Sequence, residues 1–162
     1  MWVYTGRMAT NLSYRRATLA EITPGRFANL RPGMVPVLPY FDQDLHESTA
    51  HFGAFADGNL DAVSGLTLLR QARGDVVIYQ LRGMFTNPEQ RGFGTGRDVY
   101  LVAERWAGEQ GATAIWCNAR CEAIGFYERI GFACTSGRFD VPGVGPHRRM
   151  EKVFPCMGTP AR

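Results

Sequence analysis

The run Gln90-Arg91-Gly92-Phe93-Gly94-Thr95-Gly96-Arg97 sets three glycines at alternate positions behind an arginine and ahead of an amphipathic stretch. Glycine has no Cβ, so such a backbone can take positive φ and lie against a ligand. The first N–H groups of a helix starting here would have no acceptor within the helix and would carry the positive end of its dipole. The chemistry on offer is a cradle for a phosphate or pyrophosphate. A Walker-type loop is excluded, because Arg97-Asp98 stands where it needs lysine and Ser/Thr. A dinucleotide fingerprint needs Gly-x-Gly-x-x-Gly and an acidic residue at the end of the next strand. Here the spacing is Gly-x-Gly-x-Gly, and Ala114 to Asn118 ends without one. Taken alone, the loop also reads as a plain glycine-rich turn.

The elements around the loop must position it. Val76-Val77-Ile78-Tyr79-Gln80-Leu81 is apolar and β-branched and predicts a strand, and Asn87-Pro88 predicts a turn. Beyond the glycines, Val99, Val102, Ala103, Trp106 and Ala107 recur at the spacing of one buried helical face. They predict a helix from Gly96 to Gln110, with Gly111 suited to its C′ position. The order is strand, turn, glycine loop, helix.

A second signature follows. Arg91-x-x-Gly94-x-Gly96 resembles the acetyl-CoA pyrophosphate loop of the GNAT superfamily of N-acetyltransferases. Gly125-Phe126-Tyr127-Glu128-Arg129-Ile130-Gly131-Phe132 resembles its second signature, a helix that carries a tyrosine and closes on Gly-Phe. A strand at Ile115-Trp116-Cys117 lies between them. The resemblance covers Val76 to Val153 well; over Leu12 to Leu69 it is only one of strand and helix order. It implies the GNAT-type acyl-CoA N-acyltransferase fold, in which the strands flanking the glycine-loop helix run parallel and splay apart at one end. That slot would take the pantetheine arm, whose amides bond unpaired backbone groups as an added strand does.

Acyl transfer from a thioester to an amine needs a neutral amine, a polarised carbonyl, an oriented approach and a proton for the departing thiolate. By the resemblance, backbone groups of Met84, Phe85 and Thr86 serve the pantetheine and the thioester oxygen. Arg91, Gly92, Phe93, Gly94, Thr95 and Gly96 hold the pyrophosphate, mainly through the backbone. Tyr127 is the candidate general acid and also a cofactor contact. A tyrosine, with a pKa of about 10, keeps its proton at neutral pH; the alternative is a core tyrosine using its hydroxyl as a polar handle. Many relatives carry an asparagine seven residues before the tyrosine; here that position is Arg120, and Asn118 stands two residues earlier. Asn118 therefore either contacts the cofactor or caps the turn into the helix.

No general base is identified. Where many relatives place a glutamate on the strand before the loop, this chain offers Gln80 and Arg82. Glu122, Asp140 and His147 are candidate ends of a water chain. Gly145-Pro146-His147-x-x-Met150 resembles the C-terminal strand of a bacterial subgroup that includes ElaA-like acetyltransferases, where it borders the acceptor side. An exposed strand-end histidine is the plainer reading of His147.

His46-Glu47-x-x-x-His51 invites a metal reading, but histidines five apart lie about 140° apart around a helix, so none is expected. Asp42, Asp44 and Glu47 could attract a cationic amine or form a solvated loop.

The chain has 162 residues, 45% hydrophobic and 20% charged, enough for one domain with a full core. A net charge of +3 is too small to argue for nucleic acid, although all eighteen basic residues but Lys152 are arginine. There is no apolar run of about 18 residues to span a membrane. Met1 to Asn11 lacks the roughly 7–15-residue apolar core of a signal peptide and reads as a flexible extension, with Met8 as an alternative start. Cys117, Cys121, Cys134 and Cys156 form no Cys-x-x-Cys pair, which suits reduced thiols in a cytoplasmic protein.

The remaining chain reads as a strand at Leu12 to Ala17 and a short or broken helix over Thr18 to Leu30, interrupted by Pro24-Gly25. A proline-rich loop follows, from Arg31 to Pro39. A hairpin runs from His51 to Ala56 and Leu60 to Leu69 about Asp57-Gly58-Asn59, with a second turn at Gln71 to Asp75. Strands are expected at Ala133 to Asp140 and His147 to Phe154, joined by a rigid loop from Val141 to Pro146 and followed by a disordered tail. The fold class is α/β (α+β): a mixed, mostly antiparallel sheet of about six or seven strands with helices on both faces. Residues 12–154 form a single domain, between a flexible extension (1–11) and a flexible tail (155–162).

The expectation is an acetyl-CoA-dependent N-acetyltransferase that acts on a primary amine, of a small molecule, by direct transfer in a ternary complex, with no metal, nucleic acid or membrane partner. A homodimer stays open. So do a protein or peptide amine as acceptor, a longer acyl-CoA, and a non-catalytic CoA-binding sensor.

Overall fold

The computed structural model describes residues 11–36 and 41–155. The expected extension before Asn11, Met8, the end of the proline-rich loop, the tail beyond Pro155 and Cys156 lie outside them. The chain runs β1 (Leu12–Ala17), α1 (Leu19–Leu30), β2 (Thr49–Ala56), β3 (Ser64–Arg73), β4 (Val76–Thr86), α2 (Thr95–Glu109), β5 (Ala112–Arg120), α3 (Ile124–Arg129), β6 (Ala133–Cys134), β7 (Phe139–Val141) and β8 (Gly145–Val153). The sheet order is β1-β2-β3-β4-β5-β8-β6, with β7 also on β8. β4 and β5 are parallel; the other described pairs are antiparallel.

Alternation along β2 shows how the sheet is covered. Phe52 and Ala54 enter a large core with Leu66, Leu68, Tyr79, Val99, Tyr100 and Ala103, under α2. Phe55, on the other face, joins Leu19, Ile22, Ala62 and Phe85 under α1. Helices therefore cover both faces, as expected. The α2 core also takes in Tyr127, Ile130 and Phe132.

Five local expectations are corrected. The helix of residues 19–30 is continuous although Pro24 lies inside it. Proline removes one helix bond, but a capping box holds the start: the Glu21 N–H donates to Thr18 Oγ1 at 3.2 Å and the Thr18 N–H to Glu21 Oε2 at 2.8 Å. The β2–β3 hairpin forms, but its connection spans residues 57–63, because Ala62 N–H bonds the Glu21 carbonyl (2.9 Å) and Asn87 N–H the Val63 carbonyl (2.8 Å). The second turn shrinks to Gly74-Asp75, with Gly74 at φ 61°. The strand expected over Ala133 to Asp140 is split, because Ser136 Oγ takes the Arg149 N–H (2.9 Å) in place of a ladder bond. β6 and β7 then pair separately with β8, which makes eight strands. Gly145 and Pro146, expected in a loop, lie in β8.

Candidate active site

The β4/β5 ladder has four rungs, from Val77↔Ala112 to Gln80↔Trp116, and ends there. Beyond it each strand follows its other neighbour. β5 stays on β8 as far as Arg120↔His147. β4 stays on β3 as far as Ser64↔Thr86, but through a bulge: Gly65 pairs with Phe85 and Thr67 with Arg82, leaving an extra residue in β4. A bulge bends and twists its strand. It passes through Gly83, at φ 58°, where a Cβ would stand 2.6 Å from Arg26 Nε. Residues 81–86 and 117–120 thus flank a slot that a strand-like arm fits.

The glycine loop stands past Thr86, at the open end of the slot. A turn of 3₁₀ helix (Pro88–Gln90) leads to a turn over residues 91–94, and α2 starts at Thr95. Gly92 (φ 84°) and Gly94 (φ 78°) use the left-handed region. Gly96 serves differently: it is helical, and a Cβ there would lie 3.0 Å from Thr86 Oγ1 and 3.4 Å from Met84 Cε. It lets the helix start press on the end of β4. No side chain caps α2, so its first N–H groups stay available to an anion. Arg91 is committed to the scaffold: Nε donates to the Thr86 carbonyl (2.9 Å) and Nη2 to Asn29 Oδ1 (3.1 Å). Phe93 is exposed at the tip.

Phe85 buries its ring in the α1 core, while its carbonyl accepts from Ser64 Oγ at 2.8 Å. Thr86 Oγ1 donates to Ser64 Oγ at 2.9 Å. Tyr127, on α3, is buried between Phe126 and Phe132, with ring centroids at 5.2 and 5.4 Å. Its hydroxyl lies beside the Cys117 thiol of β5, and burial, with that thiol, holds its pKa well above the usual phenol value. Burial pushes Cys117 up to about 12. Asn118 is exposed within β5, which continues to Arg120, so it caps no turn. It pairs with Arg149 two residues past the last β4/β5 rung.

Among the candidate bases, Glu122 and Asp140 are exposed. Gln80 is buried and accepts from Gln71 Nε2 at 3.2 Å. His147 is not the exposed strand-end residue of the plainer reading. It is buried opposite Arg120, stacked on Phe139 (centroids 6.0 Å), and its Nδ1–H donates to the Gly145 carbonyl at 2.8 Å, which leaves Nε2 as the acceptor nitrogen. The acidic segment is not a solvated loop throughout. Asp44 is buried, paired with Arg26 at 2.8 Å, and accepts from the Phe41 N–H at 2.9 Å. Nothing in the sequence pattern announced this pair, since Arg26 lies on a helix face that looked merely interrupted. His46 bonds Ser48 (2.7 Å), and His51 bonds Thr67 (2.7 Å) and the Asp44 carbonyl (3.0 Å). Among the described residues no group of His, Cys, Asp or Glu could hold a metal ion, and no helix is long and apolar enough to cross a membrane.

Residues 17–132 match the sequence model of the Acetyltransferase (GNAT) family, and the chain belongs to that family. It is similar to the uncharacterized N-acetyltransferase YitI of Bacillus subtilis (strain 168), 34% identical over 115 residues that cover 70% of this chain and 77% of the relative. Its fold is similar to that of Escherichia coli ElaA (TM-score 0.66, 16% identity, 88% of this chain and 99% of that one). It also resembles an aminoglycoside 6'-N-acetyltransferase solved in complex with coenzyme A (TM-score 0.56, 13% identity, 70% of this chain and 81% of that one). As a family member the protein is an acetyl-CoA-dependent N-acetyltransferase.

Proposed function

We propose that this enzyme moves the acetyl group of acetyl-CoA to a primary amine of a small molecule by direct transfer in a ternary complex. The observation that carries the reading is the coincidence of the open end of the β4/β5 slot with an uncapped helix start behind Gly92 and Gly94. Acetyl-CoA supplies the thioester carbonyl and a thiolate leaving group. The backbone of residues 84–86 binds and orients the arm, with Asn118 on the opposite strand. The N–H groups of residues 92–96 hold the diphosphate, next to Arg91, whose own N–H is taken by the Pro88 carbonyl at 3.3 Å. Tyr127 keeps a proton ready for the thiolate, and His147 Nε2 is suited to take the amine's proton. Direct transfer is favoured over an acyl-enzyme because Cys117, the thiol beside Tyr127, is held protonated. In this reading residues 12–154 form one catalytic domain, in the cytoplasm.

A second reading, a CoA-binding module without turnover, is favoured by one observation: Gln80 and Arg82, not a carboxylate, stand on the α1 face of β4 at the slot. The test combines calorimetric titration of CoA with free-thiol release across an amine library. Coenzyme binding with amine-dependent release is the expected result. Binding with no release across the library leaves the module, and folded protein that binds no CoA ends both readings.

A further inference from the structure

We infer that the acceptor carries an oxyanion, a carboxylate or phosphate, besides its amine, and that Arg82, Arg120 and Arg149 receive it. The inference rests on the reading of the slot as an acetyl-CoA site. Register places Arg82 and Arg149 near its closed end and Arg120 farther along β5. Arg82 lies two residues past the last β4/β5 rung, and Asn118 stands at the same distance across the gap, with Arg149 as its β8 partner and Arg120 two residues further along β5.

All three turn to the α1 face. The Arg82 guanidinium lies over the Phe41 ring (5.3 Å), which Arg26 of α1 shares, and donates to Gln43 Oε1 at 2.8 Å. Arg120 Nη2 reaches the Leu30 carbonyl at the end of α1, 3.4 Å away. Arg149 stacks 3.9 Å above the Trp116 ring. None of the three is paired with a carboxylate among the described residues. The carboxylates nearby are taken by other arginines, Asp44 by Arg26 and Glu151 by Arg73. Burial also pulls the Arg82 pKa below its ordinary value, by more than the Asp44 carboxylate raises it. Partly desolvated guanidinium groups without a directly paired carboxylate are costly until an anion arrives. Stacking on an aromatic plane fixes the fork that a carboxylate or phosphate accepts bidentately.

The coenzyme's own diphosphate does not explain Arg82 and Arg149, because the glycine loop that suits it lies past Thr86, at the other end of the slot. The cluster has a second consequence. Cations near a bound amine disfavour its ammonium form, so the group that selects the acceptor also helps to deliver it neutral.

The test compares acceptor pairs that differ only in the anion: an amino acid against its amide, and an aminoalkyl phosphate against the amino alcohol, with a diamine as the cationic control. Each is assayed with the native protein, Arg149→Gln, Arg82→Gln and the conservative Arg149→Lys. One anionic member should be preferred by about tenfold or more in kcat/KM, through KM, and the pair that shows it identifies carboxylate or phosphate. Either Gln variant should erase most of that preference, with partial rescue by lysine and CoA affinity within about twofold of native. Equal use of neutral or dicationic amines overturns the inference, and so does a Gln variant that weakens CoA instead. If no amine is acetylated, the transfer reading fails separately. Calorimetric titration of the same pairs into CoA-saturated protein then decides: a preference for the anion upholds the inference and equal binding overturns it.

Discussion

The Tyr127 hydroxyl lies beside the Cys117 thiol, and burial keeps its proton in place far above neutral pH. Replacing it with phenylalanine preserves the ring contacts with Phe126 and Phe132 and removes only the acid. Tyr127→Phe should therefore lower kcat by about 10²–10⁴-fold while acetyl-CoA affinity stays within a few-fold. Thiol-release kinetics and calorimetry read the two separately, and an unchanged kcat removes the assignment. Gly96 is a different kind of site residue. A valine there would drive its Cβ to 3.0 Å from Thr86 Oγ1, at the seam between helix start and β4. Gly96→Val should weaken CoA binding by at least about tenfold, with a stability loss of about 1–3 kcal/mol from overpacking. Native-like affinity in a folded variant would show that the seam does not shape the coenzyme site. The three glycines were legible as a group. Their separate reasons were not, because positive φ at Gly92 and Gly94 and close approach at Gly96 look alike as letters.

The helix α1 shows what propensity reasoning misses. Pro24-Gly25 reads as a break, yet the helix runs through both. At Gly25 a Cβ would meet the Phe85 ring at 2.2 Å and the Ala62 carbonyl at 3.1 Å. The glycine is where helix and sheet touch, and tertiary packing outweighs the helix propensity lost. The consequence is a reversed sign. In an exposed helix, Gly→Ala stabilises by about 1 kcal/mol; Gly25→Ala should instead destabilise by about 1–3 kcal/mol. The urea midpoint measures it, and a stabilised variant would mean that Phe85 moves aside at little cost. The split of the strand expected after α3 has a similar origin: a single hydroxyl, Ser136, took a ladder position that no alternation pattern reveals.

Across the whole molecule, a buried polar ring ties α1, the segment before β2, and the strands β2 and β3. Arg26 Nη1 donates to Asp44 Oδ2 at 2.8 Å, and Nη2 donates to Thr67 Oγ1. The Thr67 hydroxyl in turn faces His51 Nδ1 at 2.7 Å, and His51 Nε2–H donates to the Asp44 carbonyl at 3.0 Å. The ring closes only with neutral His51, whose Nδ1 accepts. Burial, the largest cause, lowers its pKa, and the cationic Arg26 adds to the effect. With the folded pKa below the unfolded value of about 6.5, the unfolded chain takes up the proton first as pH falls. Stability should therefore hold above that pH and decline below it until the folded pKa is passed. Urea midpoints from pH 7.5 down to 5.5 should fall in the native protein, and His51→Gln should flatten that part of the curve. An equal slope in both would assign the loss to other groups.

The order of elements, the glycine loop, the tyrosine helix and the family they define followed from sequence alone, because each depends on local spacing and on residues whose backbone freedom is intrinsic. The end of the β4/β5 ladder at Gln80 and Trp116, the burial of Asp44 and His147 and the gathering of three arginines at the slot were settled only by tertiary structure. They depend on which distant strand each segment pairs with, and on a bulge whose one extra residue redirects β4 without leaving a mark in the pattern of apolar side chains.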